Sequence, residues 1–556
     1  MPKPTKNAPP SSHWDSEVRL LAWLATCVSV FSFLFYFQRA DVLLYGDAVA
    51  HINIARRVFD SKTTGLLQLG TVWLPLPHLL MIPFLISNEM WRRGVGGSIP
   101  SMVAYAFGVI GMFRLVRGAL SRDVEPDGAA RVAAWTAALV FAANPNLIYM
   151  QTTAMGEALY LALFVWAIVY LSEFVRGDAK ALTKCGLCLS AACLTRYDGW
   201  FLAAAAAIVV VLLRVLPVQS MAPLRISRAA LVNFILIAAA APLLWLAYNA
   251  IVYRNPLEFA NGPYSARAIG RRTQTGGNSG HPGSGNPLLA GMYFLKSAEA
   301  NVAENEWLER AWVLLAVAGI VAAALTYRGK PSPSSSPHRP WPLLFLLIPV
   351  PFYALSVAYG GVPIFIPAWW PFSHYNVRYG LQLLPAFAVA PAILAHLAVR
   401  YDKWKIRLRF ALVLGLCTLV VASYASIWRT GPISLQEAQI NMRTRNQLEA
   451  RIAVWLQKLP PDSTLLMYLG DHVGAVQHAG IPLNRTINEG NHRTWKRPVD
   501  PDGLWEHALA DPARYADYVV AFEGDSVWQA VQGRHLPELV EIHVTGQARA
   551  ILYRAR

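Results

Sequence analysis

The amino-acid sequence predicts a polytopic α-helical membrane protein with about 11 transmembrane helices and a small extracytoplasmic α/β domain at its C-terminus. Hydrophobic residues make up 55% of the 556-residue chain and charged residues only 15%, so the chain is far more apolar than a typical soluble protein. Many apolar runs are about 15 to 20 residues long, a length that crosses the roughly 30 Å hydrocarbon core of a bilayer. Beyond residue 430 these runs stop, and shorter helix and strand patterns replace them.

The predicted membrane spans follow a short polar tail, residues 1–19. We expect the first span to be retained in the protein, because no small-residue cleavage pattern follows it. In chain order, the predicted spans are 20–37, 99–117, 131–150, 157–175, 182–195, 199–214, 229–250, 308–326, 341–358, 379–399 and 409–427.

The distribution of basic residues predicts the orientation of these spans. With the tail 1–19 in the cytoplasm, every connection on the inner side is basic, as the positive-inside rule requires. The same rule accounts for the formal net charge of +16 without a nucleic-acid partner. The predicted organisation is a cytoplasmic tail 1–19, a transmembrane domain 20–430 with external loops 38–98, 251–307 and 359–378, and an extracytoplasmic domain 431–556.

Two segments are compatible with more than one membrane topology. Residues 182–214 are interrupted only at 195–199, and we interpret them as a helical hairpin, because a single span would place the later basic loops outside. The apolar segment 72–86 contains Pro75, Pro77 and Pro83. Because proline disrupts a regular helix, we expect this segment to lie flat in the membrane interface.

The C-terminal region predicts a small α/β domain. Residues 434–459 have helical periodicity with alternating charges. The segments 464–469, 518–522, 539–544 and 548–554 have the pattern of strands, and 504–510 and 526–533 that of helices.

Two acidic residues at the predicted outer membrane boundary are candidates for catalysis. In a helix over 47–59, Asp47 and His51 lie one turn apart on the same face, so His51 is a candidate for binding substrate and for orienting Asp47. Asp47 could act as a general base that accepts a proton from a hydroxyl group, or it could cap the helix. Glu157 begins the fourth span on the same side, where a carboxylate also suits the helix dipole without any catalytic role.

Basic and aromatic residues on the same side are candidates for substrate binding. Arg56, Arg196 and Arg378 map outside, where the orientation rule depletes basic residues, and arginine binds phosphate through two parallel hydrogen bonds. For Arg196, pairing with Asp198 is the alternative. Residues 367–379, which include His374 and Tyr379, mix aromatic rings with basic groups. Such a segment is compatible with sugar binding and equally with an aromatic belt at the membrane interface.

Cysteines give no indication of a metal centre. All five cysteines fall in apolar segments, and Cys185 and Cys188 have no second pair that would complete a zinc site. We therefore expect no cofactor, although a divalent metal ion bound by carboxylates stays possible.

Taken together, these residues resemble the GT-C superfamily of membrane glycosyltransferases, especially its bacterial protein O-mannosyltransferase-like and aminoarabinose-transferase-like members. The resemblance spans roughly residues 20–400, and its motifs are Gly46-Asp47, Ala55-Arg56-Arg57, 73–77, 153–159, Thr195-Arg196 and Arg378-Tyr379. It implies a polyprenyl-phosphate sugar donor and an inverting transfer outside the membrane. It assigns the catalytic base to Asp47, the acid of the second external loop to Glu157, and contacts near the lipid phosphate to Arg196 and Arg378.

One position departs from this family pattern. Many relatives have a second acidic residue where this chain has Ala48, so the common two-acid motif is absent and neither a metal ion nor the usual catalytic geometry is indicated. The expected function is transfer of a sugar to a glycan, lipid or protein acceptor at the outer face of the inner (cytoplasmic) membrane. The alternatives are a lipid or solute transporter or flippase, and a non-catalytic envelope assembly protein.

Overall fold

Long apolar helices dominate the computed structural model, which describes residues 15–121, 127–215, 226–275, 280–326, 340–400, 406–491 and 500–556. Within these residues, nine helical segments are long and apolar enough to cross a membrane by length and composition. They are Ser16–Gln38, Val95–Leu120, Glu157–Val175, Asp198–Val215, Arg228–Tyr253, Glu306–Ala324, Trp341–Tyr359, Val377–Arg400 and Ile406–Leu456. The chain is therefore a multi-pass membrane protein, as predicted.

The α-helices are numbered in chain order. Those before the C-terminal sheet are α1 (Ser16–Gln38), α2 (Gly46–Arg57), α3 (Leu76–Leu85), α4 (Asn88–Arg92), α5 (Val95–Leu120), α6 (Gly128–Ala142), α7 (Pro145–Met150), α8 (Glu157–Val175), α9 (Ala179–Cys193), α10 (Asp198–Val215), α11 (Arg228–Tyr253), α12 (Glu258–Asn261), α13 (Ala266–Thr275), α14 (Pro287–Val302), α15 (Glu306–Thr326), α16 (Pro349–Tyr359), α17 (Leu384–Arg400), α18 (Ile406–Thr430) and α19 (Ile433–Leu456). Those among the strands are α20 (Val473–Ala479), α21 (Leu504–Ala510), α22 (Pro512–Tyr515) and α23 (Ser526–Val531). Short 3₁₀ helices are Leu66–Leu69, Trp341–Leu347, Val377–Leu383 and Leu483–Arg485.

Helices lie at all the predicted span positions, but three predicted spans are divided: 341–358 and 379–399 each begin with a 3₁₀ helix, and 131–150 is interrupted. The predicted span 131–150 is divided into α6 and α7, because the Asn144 side chain accepts a hydrogen bond from the Leu147 backbone N–H and Pro145 begins the new helix. Two of the helices at predicted positions, α6 and α9, have only 15 residues each, which corresponds to about 22 Å of helix.

The predicted hairpin in residues 182–214 is confirmed. Helix α9 ends at Cys193 and α10 begins at Asp198, so the turn is very tight. Gly199 makes this turn possible: a Cβ atom there would lie 2.5 Å from the carbonyl carbon of Ala192. The segment 72–86 contains the ten-residue helix α3 with Pro83 inside it, and at about 15 Å this helix is too short to cross a bilayer.

The centre of the membrane bundle is formed by five helices that pack in the order α17, α6, α5, α8 and α9. Small residues allow close approach, since Ala133 and Ala137 of α6 and Ala388 and Ala392 of α17 are all fully buried. Helices α1, α11 and α15 lie at the periphery and expose large apolar side chains, which is the surface that lipid requires.

The C-terminal region forms a five-stranded sheet with the strand order β2-β1-β3-β5-β4. The strands are β1 (Leu465–Met467), β2 (Thr486–Ile487), β3 (Tyr518–Phe522), β4 (Glu538–Ile542) and β5 (Ala550–Arg554). Strand β1 is parallel to β2 and β3, whereas β5 is antiparallel to β3 and β4. The predicted α/β domain is therefore present. The sequence did not indicate β2, because two residues are too few to show a strand pattern.

Buried amides join the C-terminal region to the segment between α1 and α5. Gln477 of α20 accepts a hydrogen bond from the Asn53 amide of α2 at 2.6 Å and donates one to the Trp91 carbonyl at 2.8 Å. The Trp91 indole N–H in turn donates to Asn53 at 3.1 Å. Because buried polar groups need partners, this triangle fixes the sheet domain against α2 and α4.

We expect Gln477→Leu to lower the free energy of unfolding by about 1–3 kcal/mol, because it removes two buried hydrogen bonds, one from the Asn53 amide and one to the Trp91 carbonyl. Denaturant unfolding of the purified protein in detergent micelles measures this change. The matched control is Gln529→Leu on the exposed face of α23, for which we expect a change within about 0.5 kcal/mol. Equal stability of the two variants would contradict this role for Gln477.

Candidate functional site

Asp47 lies in the first turn of α2, at one end of the bundle. The N-cap residue of this helix is Tyr45, which makes no side-chain capping bond. The Asp47 carboxylate does not cap the helix but accepts a hydrogen bond through Oδ2 from Nη2 of Arg378 at 2.7 Å. The Asp47 side chain is 43% exposed to solvent, so its second oxygen, Oδ1, is available to a ligand.

Arg378 is held in place by a 3₁₀ helix, Val377–Leu383, that precedes α17. This helix lies directly on α14, where a Cβ atom at Gly380 would come within 2.4 Å of the backbone of Ser297. The amide of Asn301, also on α14, donates to the Val377 carbonyl at 2.8 Å. The close backbone packing therefore fixes the starting point of the Arg378 side chain.

The guanidinium of Arg378 contacts three carboxylates from distant parts of the chain. Besides Asp47, Nε donates to Glu157 Oε1 at 3.3 Å and Nη1 donates to Glu437 Oε1. The side chains of Glu157 and Glu437 are only 1% and 2% exposed, and that of Arg378 only 7%. Glu437, on α19, also accepts the Val377 backbone N–H at 2.7 Å.

Arg196, in the turn between α9 and α10, extends the same network. Its Nη1 donates to Glu157 Oε1 at 3.1 Å, its Nε to Asp198 at 3.4 Å and its Nη2 to the Tyr353 hydroxyl at 2.9 Å. The Tyr353 hydroxyl donates to Asp198 at 2.8 Å. One oxygen of Glu157 thus serves both arginines, while Oε2 is buried without a hydrogen-bond partner among the described residues.

Aromatic rings cover the two guanidiniums. Cζ of Arg196 lies 4.9 Å and Cζ of Arg378 lies 5.2 Å from the centre of the Tyr379 ring, and Arg378 also lies 5.0 Å from the Tyr45 ring. Cation–π contacts of this kind hold a guanidinium in place without occupying its N–H donors. The predicted residues Asp47, Glu157, Arg196, Arg378 and Tyr379 are therefore brought together.

The network has an excess of negative charge. Two guanidiniums face four carboxylates, those of Asp47, Glu157, Asp198 and Glu437, so the formal charge is −2 (2 − 4). Pairing with Asp198, the alternative considered for Arg196, is present. A phosphate at either arginine would meet this excess of negative charge, although each guanidinium has five N–H donors and makes only three of these hydrogen bonds.

His51 lies beside this network, facing α3. Its Nδ1 is 2.8 Å from Nε2 of His78, and its ring centre is 4.8 Å from that of Trp73. Within the described residues, His51 makes no hydrogen bond to Asp47, its neighbour one turn earlier. Burial lowers the pKa of the His51 imidazole below its ordinary value.

Arg56 and His374 lie outside this network. Arg56 is buried and forms an ion pair with Asp60 at 2.7 Å, while its other nitrogens donate to Leu85, Ile86 and Asn88. It therefore holds α2 against the α3–α4 segment. His374 is half-buried, its carbonyl accepts from the Asn441 side chain at 2.8 Å, and burial lowers the pKa of its imidazole. The structure gives neither residue a contact with Asp47 or Glu157.

Three site residues were not found from the sequence: Glu437, Tyr353 and Tyr45. Glu437 lies in a helix with alternating charges, where one buried acid has no distinguishing pattern. Tyr353 could have been noticed as a hydroxyl inside a predicted span. For metal binding, no group of three or more His, Cys, Asp or Glu residues in the described part of the chain is placed to hold an ion.

The bundle and the sheet domain together define a class: a multi-pass membrane protein with the GT-C fold. The structure is similar to that of ArnT, an aminoarabinose transferase from Cupriavidus metallidurans, both bound to undecaprenyl phosphate (15% identity, TM-score 0.53) and in the apo state (14% identity, TM-score 0.57). Each match covers 97% of this chain and 98% of ArnT. At such identities the similarity shows the fold.

A second GT-C protein has a weaker similarity. It is the Archaeoglobus fulgidus oligosaccharyltransferase tethered to an acceptor peptide, at 11% identity and a TM-score of 0.41, covering 92% of this chain and 70% of that one. No protein-family model and no curated protein matches the sequence. The predicted GT-C fold is confirmed by the similarity to ArnT alone.

We expect Glu437→Ala to lower the free energy of unfolding by about 3 kcal/mol, because it leaves the buried Arg378 guanidinium without one of its carboxylates. Denaturant unfolding in detergent micelles measures the loss. Glu304→Ala, at an exposed position in the loop before α15, is the control and should leave stability nearly unchanged. If both variants unfold at the same denaturant concentration, the Glu437–Arg378 pair does not hold the site together.

Proposed function

We propose that this protein is a membrane glycosyltransferase that moves a sugar from a polyprenyl-phosphate donor to an extracytoplasmic acceptor, with Asp47 as the general base. The observation that carries the proposal is the position of Asp47: a partly exposed carboxylate, oriented by a buried arginine, in a GT-C fold. In support, ArnT, which shares this fold over nearly its whole length, binds undecaprenyl phosphate.

Asp47 has the geometry that a general base needs. Because Oδ2 is engaged by Arg378, the exposed oxygen Oδ1 is left to accept a proton from the acceptor hydroxyl. In the proposed reaction, the acceptor oxygen forms a bond to the anomeric carbon of the sugar while the bond from that carbon to the phosphate oxygen breaks. The bonding electrons leave with the lipid phosphate, and the acceptor proton goes to Asp47.

The arginines would stabilise the departing phosphate. As the bond breaks, the phosphate gains negative charge, and guanidiniums placed at developing charge lower the barrier. Arg378 is the better candidate of the two, since its contact with Asp47 lies at the exposed edge of the network. Arg196, paired with Asp198 and Tyr353, would position Glu157.

The orientation of the site supports a reaction at one membrane surface. Glu157, Asp198 and Arg378 all lie at the N-terminal ends of helical segments, and α19 of the C-terminal region reaches the same end of the bundle through Glu437. With the N-terminus in the cytoplasm, as the basic loops indicate, this end faces outward. The proposed location is the inner membrane, and the acceptor is a glycan, lipid or protein.

We expect Asp47→Asn to reduce kcat by about 10²- to 10⁴-fold, because the amide cannot accept the proton in the transition state. The assay incubates purified protein in lipid with a panel of polyprenyl-phosphate sugars and acceptors, and it measures release of the lipid phosphate. Asp462→Asn, at an exposed loop position, is the matched control.

Two outcomes contradict the proposal in different ways. Full activity of Asp47→Asn would remove the base assignment but leave the transferase. If the unmodified protein moves the lipid-linked sugar across vesicles without consuming it, the protein is a flippase and the proposed activity is wrong.

A further inference from the structure

A pair of buried histidines lies next to the proposed site. His51 of α2 and His78 of α3 are 8% and 0% exposed, and Nδ1 of His51 is 2.8 Å from Nε2 of His78. Burial lowers the pKa of both imidazoles, so both rings are neutral near pH 7. A hydrogen bond between two neutral imidazoles needs one donor and one acceptor, so only two arrangements of the protons are possible.

The first arrangement places the shared proton on His51. His51 then donates through Nδ1, and the neutral His78 must carry its own proton on Nδ1. That atom is buried and has no hydrogen-bond partner within the described residues. This arrangement therefore buries an unpaired N–H donor, which native structures rarely tolerate.

The second arrangement places the shared proton on His78. His78 then donates through Nε2 to Nδ1 of His51, and its own Nδ1 is a bare lone pair. A buried acceptor without a partner is less rare in native structures than a buried N–H donor without one. The burial of Nδ1 therefore favours this arrangement.

In this second arrangement the proton of His51 is on Nε2, which points away from His78. Nε2 makes no hydrogen bond within the described residues. It is also not one of the buried polar atoms that lack a hydrogen-bond partner. His51 interacts electrostatically with the carboxylates of Asp47 and Glu157, so the ring lies within range of the proposed site. The Trp73 ring packs against His51 at an interplanar angle of 53° and restricts the rotation of the imidazole.

We propose that His78 is a positioning residue: it holds His51 in the tautomer with the proton on Nε2, and this N–H donates a hydrogen bond to an oxygen of the bound sugar phosphate. The second half of this statement rests on the proposed function. The first half concerns the resting protein only. A histidine ring whose tautomer is set by a second histidine is a donor of fixed direction.

The tautomer can be measured without any enzymatic activity. Solid-state NMR of the full-length protein, labelled with ¹⁵N-histidine and embedded in lipid, separates protonated from unprotonated ring nitrogens. The His51 signals are those lost in His51→Gln. We expect a protonated Nε2 and an unprotonated, hydrogen-bonded Nδ1 in the unmodified protein. A proton on Nδ1 of His51 would overturn the proposal.

Variants of His78 test the positioning role. In His78→Leu we expect a mixture of His51 tautomers and about a tenfold higher KM for the donor with a smaller change in kcat. His78→Gln keeps an amide N–H donor and should restore both the tautomer and most of the affinity. The control is His535→Leu at an exposed position, which should match the unmodified protein. Unchanged KM and tautomer in His78→Leu would overturn the proposal.

The two proposals fail separately. Adding polyprenyl phosphate alone, and then a polyprenyl-phosphate sugar, shows whether the His51 Nε2 signal responds to the phosphate or to the sugar. If neither lipid is bound or consumed, the proposed function is wrong, and so is the inferred hydrogen bond from His51 to the sugar phosphate. The measured tautomer of His51 is not affected by that outcome. If the donor is consumed but the Nε2 signal does not respond to either lipid, only the inferred contact is wrong.

Discussion

The structure depends on one buried guanidinium, that of Arg378, which contacts Asp47, Glu157 and Glu437. These carboxylates come from α2, from the start of the central membrane helix α8 and from α19, the helix that follows α18. A buried charge is costly unless it is paired and hydrogen-bonded, so the three segments must meet for the folded state to be stable. The same requirement brings Asp47 to the edge of the network with one oxygen free.

The C-terminal region is thereby part of the site. Helix α19 supplies Glu437, and its first turn is held by hydrogen bonds from the Tyr45 hydroxyl to the Ser434 carbonyl and from the Ser434 hydroxyl to Asn146. Gly46 packs so closely under this helix that a Cβ atom would lie 2.9 Å from the Met442 side chain. The predicted division at residue 430 therefore separates two regions by composition, whereas the network of Arg378 runs across it.

The sequence predicted features that depend on local composition, but it could not predict contacts between residues that lie far apart in the chain. Membrane helices were predictable because lipid imposes a continuous apolar composition, and Asp47, Glu157 and Arg378 because charges at a membrane boundary are conspicuous. The pairing of Glu437 with Arg378 depends on tertiary packing and left no local pattern. Arg56 shows the opposite case: its partner Asp60 lies only four residues on, and this local spacing was overlooked when Arg56 was assigned to substrate binding.

The excess of carboxylates around the two arginines suggests how proton transfer and phosphate departure could be linked in the proposed reaction. In the resting network Arg378 is neutralised by acids on three sides, which disfavours a further anion. When Asp47 takes the acceptor proton it loses its negative charge, and the guanidinium beside it loses one competing partner. The leaving phosphate gains charge during the same step. In the proposed reaction, proton transfer to Asp47 therefore makes Arg378 available to the phosphate while the phosphate gains negative charge. The Asp47–Arg378 ion pair would thus couple deprotonation of the acceptor to departure of the phosphate.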